Sequence, residues 1–482
     1  MRSSVQKAIL VVIAATALAG ILRGYRLGSP PEKVFDEVYY ASDGCWYTGE
    51  DYRKCGLESN VERSWVHPPL GKTMIAWGID AFGNRPFGWR IAAAAAGTVT
   101  VALVGALAFL LTGNLVWAGV AAILIATENL HFVQSRIAML DVFLTMFVVL
   151  GFLLLVADRK RAHPNHERVR HPAADDEPEE RPVESAFMDE GRAHGSEDDI
   201  PTVPRRRGLR PLRLAAGAAF GAAIAVKWSG VLALLAAPVL ALAWERTRRK
   251  RDGAAHPVLA AVREEGIGLL LAFMVVPFIV YAASWFPWLQ DRGFDVVEWF
   301  RHHGFMAEYH LNLSTIGEDG KPIHPYMSEA WTWFLLIRPV AYFWQGTDRT
   351  GAEILGIGHP ILFWGALLVI PYLVAAWAGK RDWRAGAILV PILAQYVPWL
   401  LVQRPAFLFY LTPVTPFLAL GATYLLRDLA GLRFLHARIS AASAAIVVLA
   451  CVVIFAIFWP VLVGQTLSLE TWRDKIWFDS WI

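Results

Sequence analysis

Long apolar runs separated by short polar segments dominate the pattern of this chain. Most runs hold about 20 residues, the length that an α-helix needs to cross roughly 30 Å of hydrocarbon. The pattern predicts an all-α polytopic membrane protein. About eleven transmembrane helices are expected, at 6–22, 88–111, 114–128, 138–157, 211–228, 230–244, 265–283, 359–378, 385–402, 405–425 and 440–460.

Basic residues indicate how these helices are oriented. Short cytoplasmic connections carry an excess of Lys and Arg, and four polar segments of this chain do so. Placing these segments in the cytoplasm puts the N-terminus there as well and, with eleven spans, the C-terminus outside. The four basic segments are 158–213, 245–263, 380–384 and 427–438.

Composition supports the membrane assignment and also sets one polar segment apart from the rest of the chain. Apolar residues make up 56% of the chain and charged residues 18%, against about 25% charged residues in soluble domains. The segment 158–210 is different, because it is rich in Pro, Glu, Asp and Arg. Such a segment buries too little apolar surface to fold alone. We predict a disordered cytoplasmic loop there, and no nucleic-acid partner is expected.

Two large loops are predicted on the outer face, at 23–87 and 284–358. In the second loop, the stretch 329–345 is apolar but too short to span a membrane, and Arg338 and Pro339 interrupt it. An apolar stretch of this kind is typical of a segment that lies along the membrane surface. We therefore expect an interfacial helix in the second outer loop.

Two of the three cysteines, Cys45 and Cys55, stand ten positions apart in the first outer loop. A disulfide between them is expected if the loop faces an oxidising compartment, and two free thiols are the alternative. Cys451 lies in an apolar run, where a cysteine packs as a small hydrophobic residue. The Cys and His residues show no metal-ligand spacing.

The first outer loop also carries two adjacent carboxylates, Asp36 and Glu37, in the sequence KVFDEVYY. Adjacent side chains point in different directions on a helix or a strand, so the two cannot easily form one coupled pair. We expect one to face a reaction centre and the other to support the loop. A glycosidase needs two carboxylates, but a phosphate leaving group is a weak base, so one carboxylate that activates a hydroxyl suffices.

A phosphate substrate also needs cations, and several lie at the outer ends of the predicted helices. Pro68-Pro69 is expected to begin a helix, which favours an anion near its N-terminus. Snorkelling of basic side chains to the membrane interface and structural ion pairs remain alternatives to phosphate contact. The candidates for the donor phosphate are His67, Lys72, Arg90, Arg136, Lys227 and Arg404.

Four further polar residues are candidates for substrate contact or for support of the site. Asp141 follows Arg136 at the outer end of a span, but a spacing of five residues does not require the two to pair. The histidines at 310 and 324 lie in motif-like surroundings and are candidates for acceptor or donor contacts. The four residues are Asp141, His310, His324 and Arg338.

An ordered set of motifs runs through most of the chain, over roughly 30–160, 211–240 and 280–420. In this order, it resembles the protein O-mannosyltransferases, and more closely their actinobacterial members. The motifs are FDEVYY, WVHPPLGK, SRIAMLD, VKWSG, YHLNL, HPYMSEAWTW, LLIRPVAYFW and RPAFLFYLTPVTPF.

The resemblance implies a single GT-C membrane domain over 1–482. It also implies inverting transfer of mannose from polyprenyl-phosphate-mannose to Ser or Thr hydroxyls of exported proteins, at the outer face of the plasma membrane. The family's catalytic base maps to Asp36, and its acidic neighbour Glu37 is functionally important. The donor phosphate is expected to contact Arg90, with Lys72 and Arg136 as further candidates.

The chain also departs from parts of this family. Eukaryotic members carry a large MIR domain in the second outer loop, for which the segment 284–358 leaves no room, so acceptor recognition is expected to rest on the bundle and the short loops. The outer segments carry no acidic cluster of the DxD type. We therefore expect no metal requirement and no cofactor besides the lipid-linked donor.

Three alternatives to mannosyl transfer remain open. A related GT-C enzyme that moves another lipid-linked sugar to a lipid or glycan is closest. A secondary transporter would place charges near the bilayer midplane on broken helices, whereas these charges gather at outer helix ends and loops. A scaffold partner of the secretion machinery would leave the outer carboxylates dispensable.

Overall fold

The computed structural model describes residues 2–162, 209–317, 320–431 and 437–482. The predicted cytoplasmic loop at 158–210 lies almost entirely outside these residues. The helices of the first half are α1 (Arg2–Gly24), α2 (Glu37–Tyr47), α3 (Leu70–Phe82), α4 (Pro86–Thr112), α5 (Leu115–Ala126), α6 (Asn129–Gln134), α7 (Leu140–Ala162), α8 (Pro211–Val226) and α9 (Gly230–Arg251).

The second half adds more helices and the strands of a small sheet. A π-helical turn at Leu271–Val275 joins α10 to α11, and short 3-10 helices at Val397–Leu400 and Leu408–Val414 lie between α15 and α16. The elements are α10 (Pro257–Leu270), α11 (Val276–Ser284), α12 (Phe286–Asp291), α13 (Val296–Asn312), β1 (Val340–Gly346), β2 (Thr350–Gly356), α14 (Pro360–Ala378), α15 (Trp383–Tyr396), α16 (Thr415–Ala430), α17 (Ala437–Leu462), β3 (Leu467–Ser468) and α18 (Leu469–Arg473).

Local sequence explains where several of these helices begin and end. Pro86 supplies the first residue of α4 and Gly113, with a φ of 66°, ends it, which is the usual asymmetry of Pro and Gly at helix ends. Asn114 then caps α5 by accepting the backbone N–H of Val116 at 2.8 Å. Two apolar helices are thus separated by only two residues.

Seven helical segments in the described ranges are long and apolar enough to cross a membrane, by length and composition. The apolar stretches Ile9–Gly24, Leu115–Ala126 and Pro211–Val226 are shorter helices. Each predicted span overlaps a helical segment, so the prediction of a largely helical, multi-pass membrane protein is confirmed. The count of eleven spans stays a prediction.

The centre of the bundle is α7, which packs against α4, α8 and the 3-10 helix at Leu408–Val414. Close approach of the neighbouring helices depends on small residues. A Cβ at Gly217 would lie 1.7 Å from the carbonyl oxygen of Ala272, so α8 contacts the π-helical turn backbone to backbone. This contact fixes the position of α8, whose C-terminal end leads to the site described below.

The first outer loop is folded around α2 and α3. Cys45 and Cys55 form a disulfide, with their Cα atoms 5.5 Å apart, which decides between the two alternatives left open by the sequence. Cys45 belongs to α2, and the disulfide therefore ties the end of this helix to the loop that follows. Asp36 stands immediately before the other end of α2.

The second outer loop differs from its sequence-based description. Residues 329–345 form the 3-10 helix Ala330–Leu335 and most of β1 rather than an interfacial helix. The reason is local, because Leu336 adopts a positive φ of 58° and Pro339 cannot continue a helix. The amphipathic helix of this loop is α13 instead.

A three-stranded antiparallel sheet, in the order β1-β2-β3, was not predicted from the sequence. Val340 of β1 pairs with Gly356 of β2, and Thr350 of β2 pairs with Ser468 of β3. The sheet joins the second outer loop to the C-terminal segment, because β3 pairs with β2.

Candidate active site

A cavity of about 640 Å³ opens between the first outer loop, α13 and the segment that leads into α16. We call it the central cavity. Its lining combines aromatic rings with carboxylate, ammonium, guanidinium and imidazole groups. Six of the predicted site residues line it: Asp36, His67, Lys227, His310, His324 and Arg404.

Asp36 faces the central cavity from the N-terminus of α2. The preceding Phe35 has a positive φ of 47°, and its ring packs edge-on against Tyr342 at 5.1 Å. Tyr40, one turn into α2, donates its hydroxyl to Asp36 Oδ2 at 3.4 Å. Burial raises the pKa of Asp36 to about 6, and the charge of Lys227 opposes this shift. A carboxyl group with this pKa is suited to accept a proton near neutral pH.

Glu37 is fully buried and does not line the cavity. Its carboxylate accepts two hydrogen bonds of 2.8 Å from Nε and Nη2 of Arg90. The backbone amides of Val34 and Ala138 donate to it as well, at 2.9 and 2.8 Å. The two adjacent carboxylates thus have different surroundings, and Glu37 fastens the loop that carries Asp36 to α4 and to the segment before α7.

The prediction that Arg90 contacts the donor phosphate does not agree with the geometry. Its side chain is fully buried outside the cavity lining. Besides the two bonds to Glu37, it donates to the carbonyl oxygens of Leu27, Pro30 and Glu32 at 3.3, 2.8 and 3.0 Å. A guanidinium has five N–H donors, and all five are used. Arg90 therefore holds the loop rather than facing a ligand.

Lys72 is likewise placed inside the first outer loop and not at the cavity. Its ammonium donates to Glu62 at 2.7 Å and to the carbonyl oxygens of Ser64 and His67, both at 3.1 Å. An ammonium has three donors, so these contacts satisfy it. The contact that the sequence predicted between Lys72 and a phosphate is not supported, but Lys72 fixes the backbone on both sides of Trp65.

Two further predicted residues lie outside the cavity lining, and each donates to backbone carbonyl oxygens elsewhere. Arg136 donates to the carbonyl oxygens of Arg23 and Tyr25 at 2.8 and 2.6 Å, which satisfies acceptors at the end of α1. Arg338 donates to the carbonyl oxygen of Ser480 at 2.9 Å, near the end of the chain. Neither arginine is placed to contact a ligand in the central cavity.

Lys227 follows the end of α8 and brings a positive charge to the cavity. Its ammonium lies 2.9 and 3.0 Å from the two carboxylate oxygens of the buried Asp141. It also lies 4.8 Å from the centre of the Tyr410 ring. Asp141 thus orients Lys227, which lines the cavity together with Asp36.

Arg404 brings a second positive charge. Its Nη1 donates to Nδ1 of His310 at 3.2 Å, and Nε2 of His310 donates to the carbonyl oxygen of Val66 at 3.0 Å. The Nε of Arg404 is buried and has no hydrogen-bond partner among the described residues. Burial, with the nearby Lys227, lowers the pKa of His67 well below its usual value. His67 is therefore neutral and adds a polar ring rather than a charge.

His324 closes another side of the cavity. Its ring packs edge-on against Phe407 at 5.0 Å, and its Nδ1 accepts the backbone N–H of Tyr326 at 3.2 Å. Burial lowers the pKa of His324. The cavity as a whole combines one carboxylate of raised pKa with three cationic side chains, Arg63, Lys227 and Arg404, and its remaining lining is mostly aromatic.

Two family models match the chain. The model described as dolichyl-phosphate-mannose-protein mannosyltransferase matches residues 80–168, and that of the C-terminal four-TMM region of protein-O-mannosyltransferase matches 296–481. The polyprenol-phosphate-mannose–protein mannosyltransferase of Mycolicibacterium smegmatis is 31% identical, over 97% of this chain and 91% of the relative. The chain belongs to the protein O-mannosyltransferase family. The resemblance that the sequence motifs carried is thereby confirmed.

Solved structures show the same fold as this member of the family. The Saccharomyces cerevisiae protein O-mannosyltransferase Pmt1-Pmt2 complex bound to the sugar donor superposes with a TM-score of 0.73 at 14% identity, over 99% of this chain and 93% of the other. ArnT from Cupriavidus metallidurans bound to undecaprenyl phosphate superposes with a TM-score of 0.51 at 15% identity, over 92% and 70%. The predicted GT-C fold is confirmed.

Sequence reasoning missed several residues that line the central cavity of this O-mannosyltransferase family member. Tyr40 lies within FDEVYY and Tyr410 within RPAFLFYLTPVTPF, but a single sequence does not show which aromatic residues of a motif face a cavity. Arg63 was missed because a charged residue in a polar loop is unremarkable in a sequence. The missed residues include Tyr40, Arg63, Trp228, Trp399, Phe409 and Tyr410.

Proposed function

We propose that this protein transfers mannose, with inversion, from polyprenyl-phosphate-mannose to Ser or Thr hydroxyls of exported proteins. The observation that carries the proposal is the shared cavity, in which Asp36 stands with Lys227 and Arg404. The relative from Mycolicibacterium smegmatis is named for this donor and for a protein acceptor. One base and two cations are the groups that such a transfer needs.

The transfer is a single displacement at the anomeric carbon. The acceptor oxygen bonds to this carbon while its proton passes to the carboxylate of Asp36. The bond between the carbon and the phosphate oxygen breaks on the opposite face, and the polyprenyl phosphate leaves with the electron pair. Lys227 and Arg404 stabilise the negative charge of the leaving phosphate. The leaving group needs no protonation, since a phosphate ester anion is a weak base.

Several other residues of the site hold Asp36, Lys227 and Arg404 in place. Asp141 orients Lys227, and His310 orients Arg404 through the hydrogen bonds described above. Glu37 holds the loop that carries Asp36. His67 and His324 line the remaining space, where they contact the sugar or the acceptor. The roles of supporting residues therefore follow from what each one touches.

We place the cavity on the outer face of the plasma membrane, with the N-terminus in the cytoplasm. Two observations support this orientation. The Cys45–Cys55 disulfide lies in the loop that carries Asp36, and disulfides persist in oxidising compartments. The basic residues at the ends of α7 and α9 suit the cytoplasmic side. Acceptors would then arrive as exported chains, and a link to the secretion machinery follows from that supply.

The experiment that tests the function supplies membranes containing the protein with radiolabelled polyprenyl-phosphate-mannose and a peptide with one Thr. We expect label in the peptide, no label when that Thr is replaced by Ala, and unchanged transfer in EDTA. Among the described residues, no group of three His, Cys, Asp or Glu side chains is placed to hold a metal ion. Transfer from a polyprenyl-phosphate-pentose but not from the mannose donor would contradict the proposal and favour a related sugar transferase.

The pH dependence of transfer should report Asp36. A base works only when it is deprotonated, so a pKa of about 6 predicts that kcat/KM falls about tenfold for each pH unit below 6 and levels off above it. Replacing Tyr40 by Phe removes a hydrogen bond that favours the charged carboxylate, so the acidic limb should move to higher pH. Initial rates between pH 4.5 and 8 measure the acidic limb of the native protein and its shift in Y40F. A limb near pH 4, or one that Y40F leaves in place, would assign the profile to another group.

A further inference from the structure

A second depression, with a volume of about 680 Å³, lies beside the central cavity. We call it the outer cleft. Its lining includes Phe305 and Glu308 of α13 and Trp65 of the first outer loop. Trp65, Tyr309, Leu313 and Ile323 line both spaces. The two spaces therefore adjoin each other and share part of their lining.

The shared wall is held in place by hydrogen bonds across the two loops. His302 donates through Nε2 to the carbonyl oxygen of Trp65 at 3.2 Å, and His310 donates to that of Val66 at 3.0 Å. The rings of Trp65 and Tyr309 meet edge-on at 5.6 Å. The boundary between the cavity and the cleft is thus fixed before any ligand binds, which lowers the cost of ordering a bound chain.

The position of the outer cleft beside the central cavity indicates what the cleft binds. A hydroxyl that reaches Asp36 belongs to a polypeptide, and the chain on either side of that hydroxyl has to leave the cavity. An extended chain advances about 3.3 Å per residue, so residues a few positions away lie outside the space that the sugar occupies. The outer cleft adjoins the central cavity, is lined by loop and α13 residues, and offers the aromatic rings of Trp65, Phe305 and Tyr309 to an extended chain.

The charge of the cleft is negative and comes from one side chain. Glu308 is exposed and forms no salt bridge with any described residue. Burial lowers the pKa of His302 to about 4, so its ring is neutral. The other residues of the lining carry no formal charge. A cationic side chain in the bound polypeptide would therefore meet an unpaired carboxylate, and an anionic one would be repelled.

We propose that the outer cleft binds the residues that flank the acceptor hydroxyl, and that Glu308 makes this site favour Lys or Arg over Asp or Glu. The proposal rests on the proposed function, since it names a part of the same acceptor. It makes Glu308 a specificity-determining residue and leaves the chemistry to the central cavity.

The test uses two series of peptides with one Thr, which carry Lys or Glu at one position between two and five residues from it. With the native protein, KM should be about two- to fivefold lower for the Lys peptide at the best position, as for an exposed charge pair. E308Q should remove the difference and E308K should reverse it. The kcat and the KM of the donor should stay unchanged. E298Q changes a glutamate of α13 outside the lining, and should keep the native preference.

Photocrosslinking separates this proposal from the proposed function. A peptide that carries a benzophenone at the preferred position should label residues around Phe305 in the native protein, whether or not mannose is transferred. The F305A variant should be labelled less. Labelling there without transfer from the mannose donor would overturn the proposed function and leave the cleft as a polypeptide site. The proposal for the outer cleft would be overturned if E308K kept the native ratio of KM values for the Lys and Glu peptides, or if the peptide labelled only residues outside the cleft.

Discussion

Replacing Asp36 by Asn should lower kcat for mannose transfer by about a hundred- to ten-thousand-fold, the loss expected when a general base is removed. Asn has almost the same shape as Asp but cannot take the hydroxyl proton. Asp36 touches the cavity, whereas its neighbour Glu37 is buried against Arg90. The loss should therefore arise in the chemical step, with the affinity for the lipid donor nearly unchanged because Lys227 and Arg404 remain.

The measurement compares initial rates of labelled mannose transfer and, separately, equilibrium binding of the donor. Asp80 is an exposed aspartate of α3 outside the cavity lining, so D80N is the matched control and should transfer mannose like the native protein. If D36N keeps more than a tenth of the native kcat while it binds the donor, Asp36 is not the base. Unfolding of D36N would be seen as loss of donor binding as well, which distinguishes it from loss of chemistry.

The division of work between Asp36 and Glu37 could be predicted from the sequence, because it follows from the directions of adjacent side chains. The helical bundle could be predicted for a similar reason, since long apolar runs are a local property of the chain. The cations at the outer helix ends were also found, and Lys227 and Arg404 do face the cavity. What could not be predicted is which of these cations line the cavity and which are enclosed by partners elsewhere.

The hydrogen-bond partners of a buried charged residue often come from distant parts of the chain. Arg90 meets a carboxylate that lies 53 positions away, and the amide of Ala138 meets the same carboxylate across 101 positions. A single sequence shows the charge of Arg90 but not its partners. The pairing of β3 was missed for the same reason, because β3 has only two residues and pairs with a strand more than a hundred positions earlier. The stretch 329–345 shows that apolar character alone does not specify a helix.

The second large effect should come from Arg90, and it should be an effect on stability. R90M leaves the carboxylate of Glu37 buried without its partner, and removing one member of a buried ion pair costs about 3–5 kcal/mol of unfolding free energy. Carbonyl oxygens of Leu27, Pro30 and Glu32 lose their donor as well. Unfolding by denaturant in detergent micelles, followed by intrinsic fluorescence of the tryptophans, measures the change.

A matched control lies in the first outer loop, which also carries Glu37. Lys54 forms an ion pair with Glu50 at 3.3 Å, and both side chains are largely exposed, so K54M should change the unfolding free energy by less than about 1 kcal/mol. R90K should destabilise nearly as much as R90M, because an ammonium cannot replace a guanidinium that forms two parallel bonds to a carboxylate.

The double variant R90M/E37Q decides between the two roles considered for Arg90. If the arginine holds the loop, neutralising Glu37 removes the unpaired charge, so the double variant should lose less stability than the sum of the two single variants. Donor affinity, measured on the folded fraction, should then be close to native in all three. If Arg90 instead contacts the donor phosphate, R90M should fold as stably as K54M and bind the donor weakly. That outcome would require the loop to open when the donor binds, because in the closed loop every N–H of Arg90 already has an acceptor.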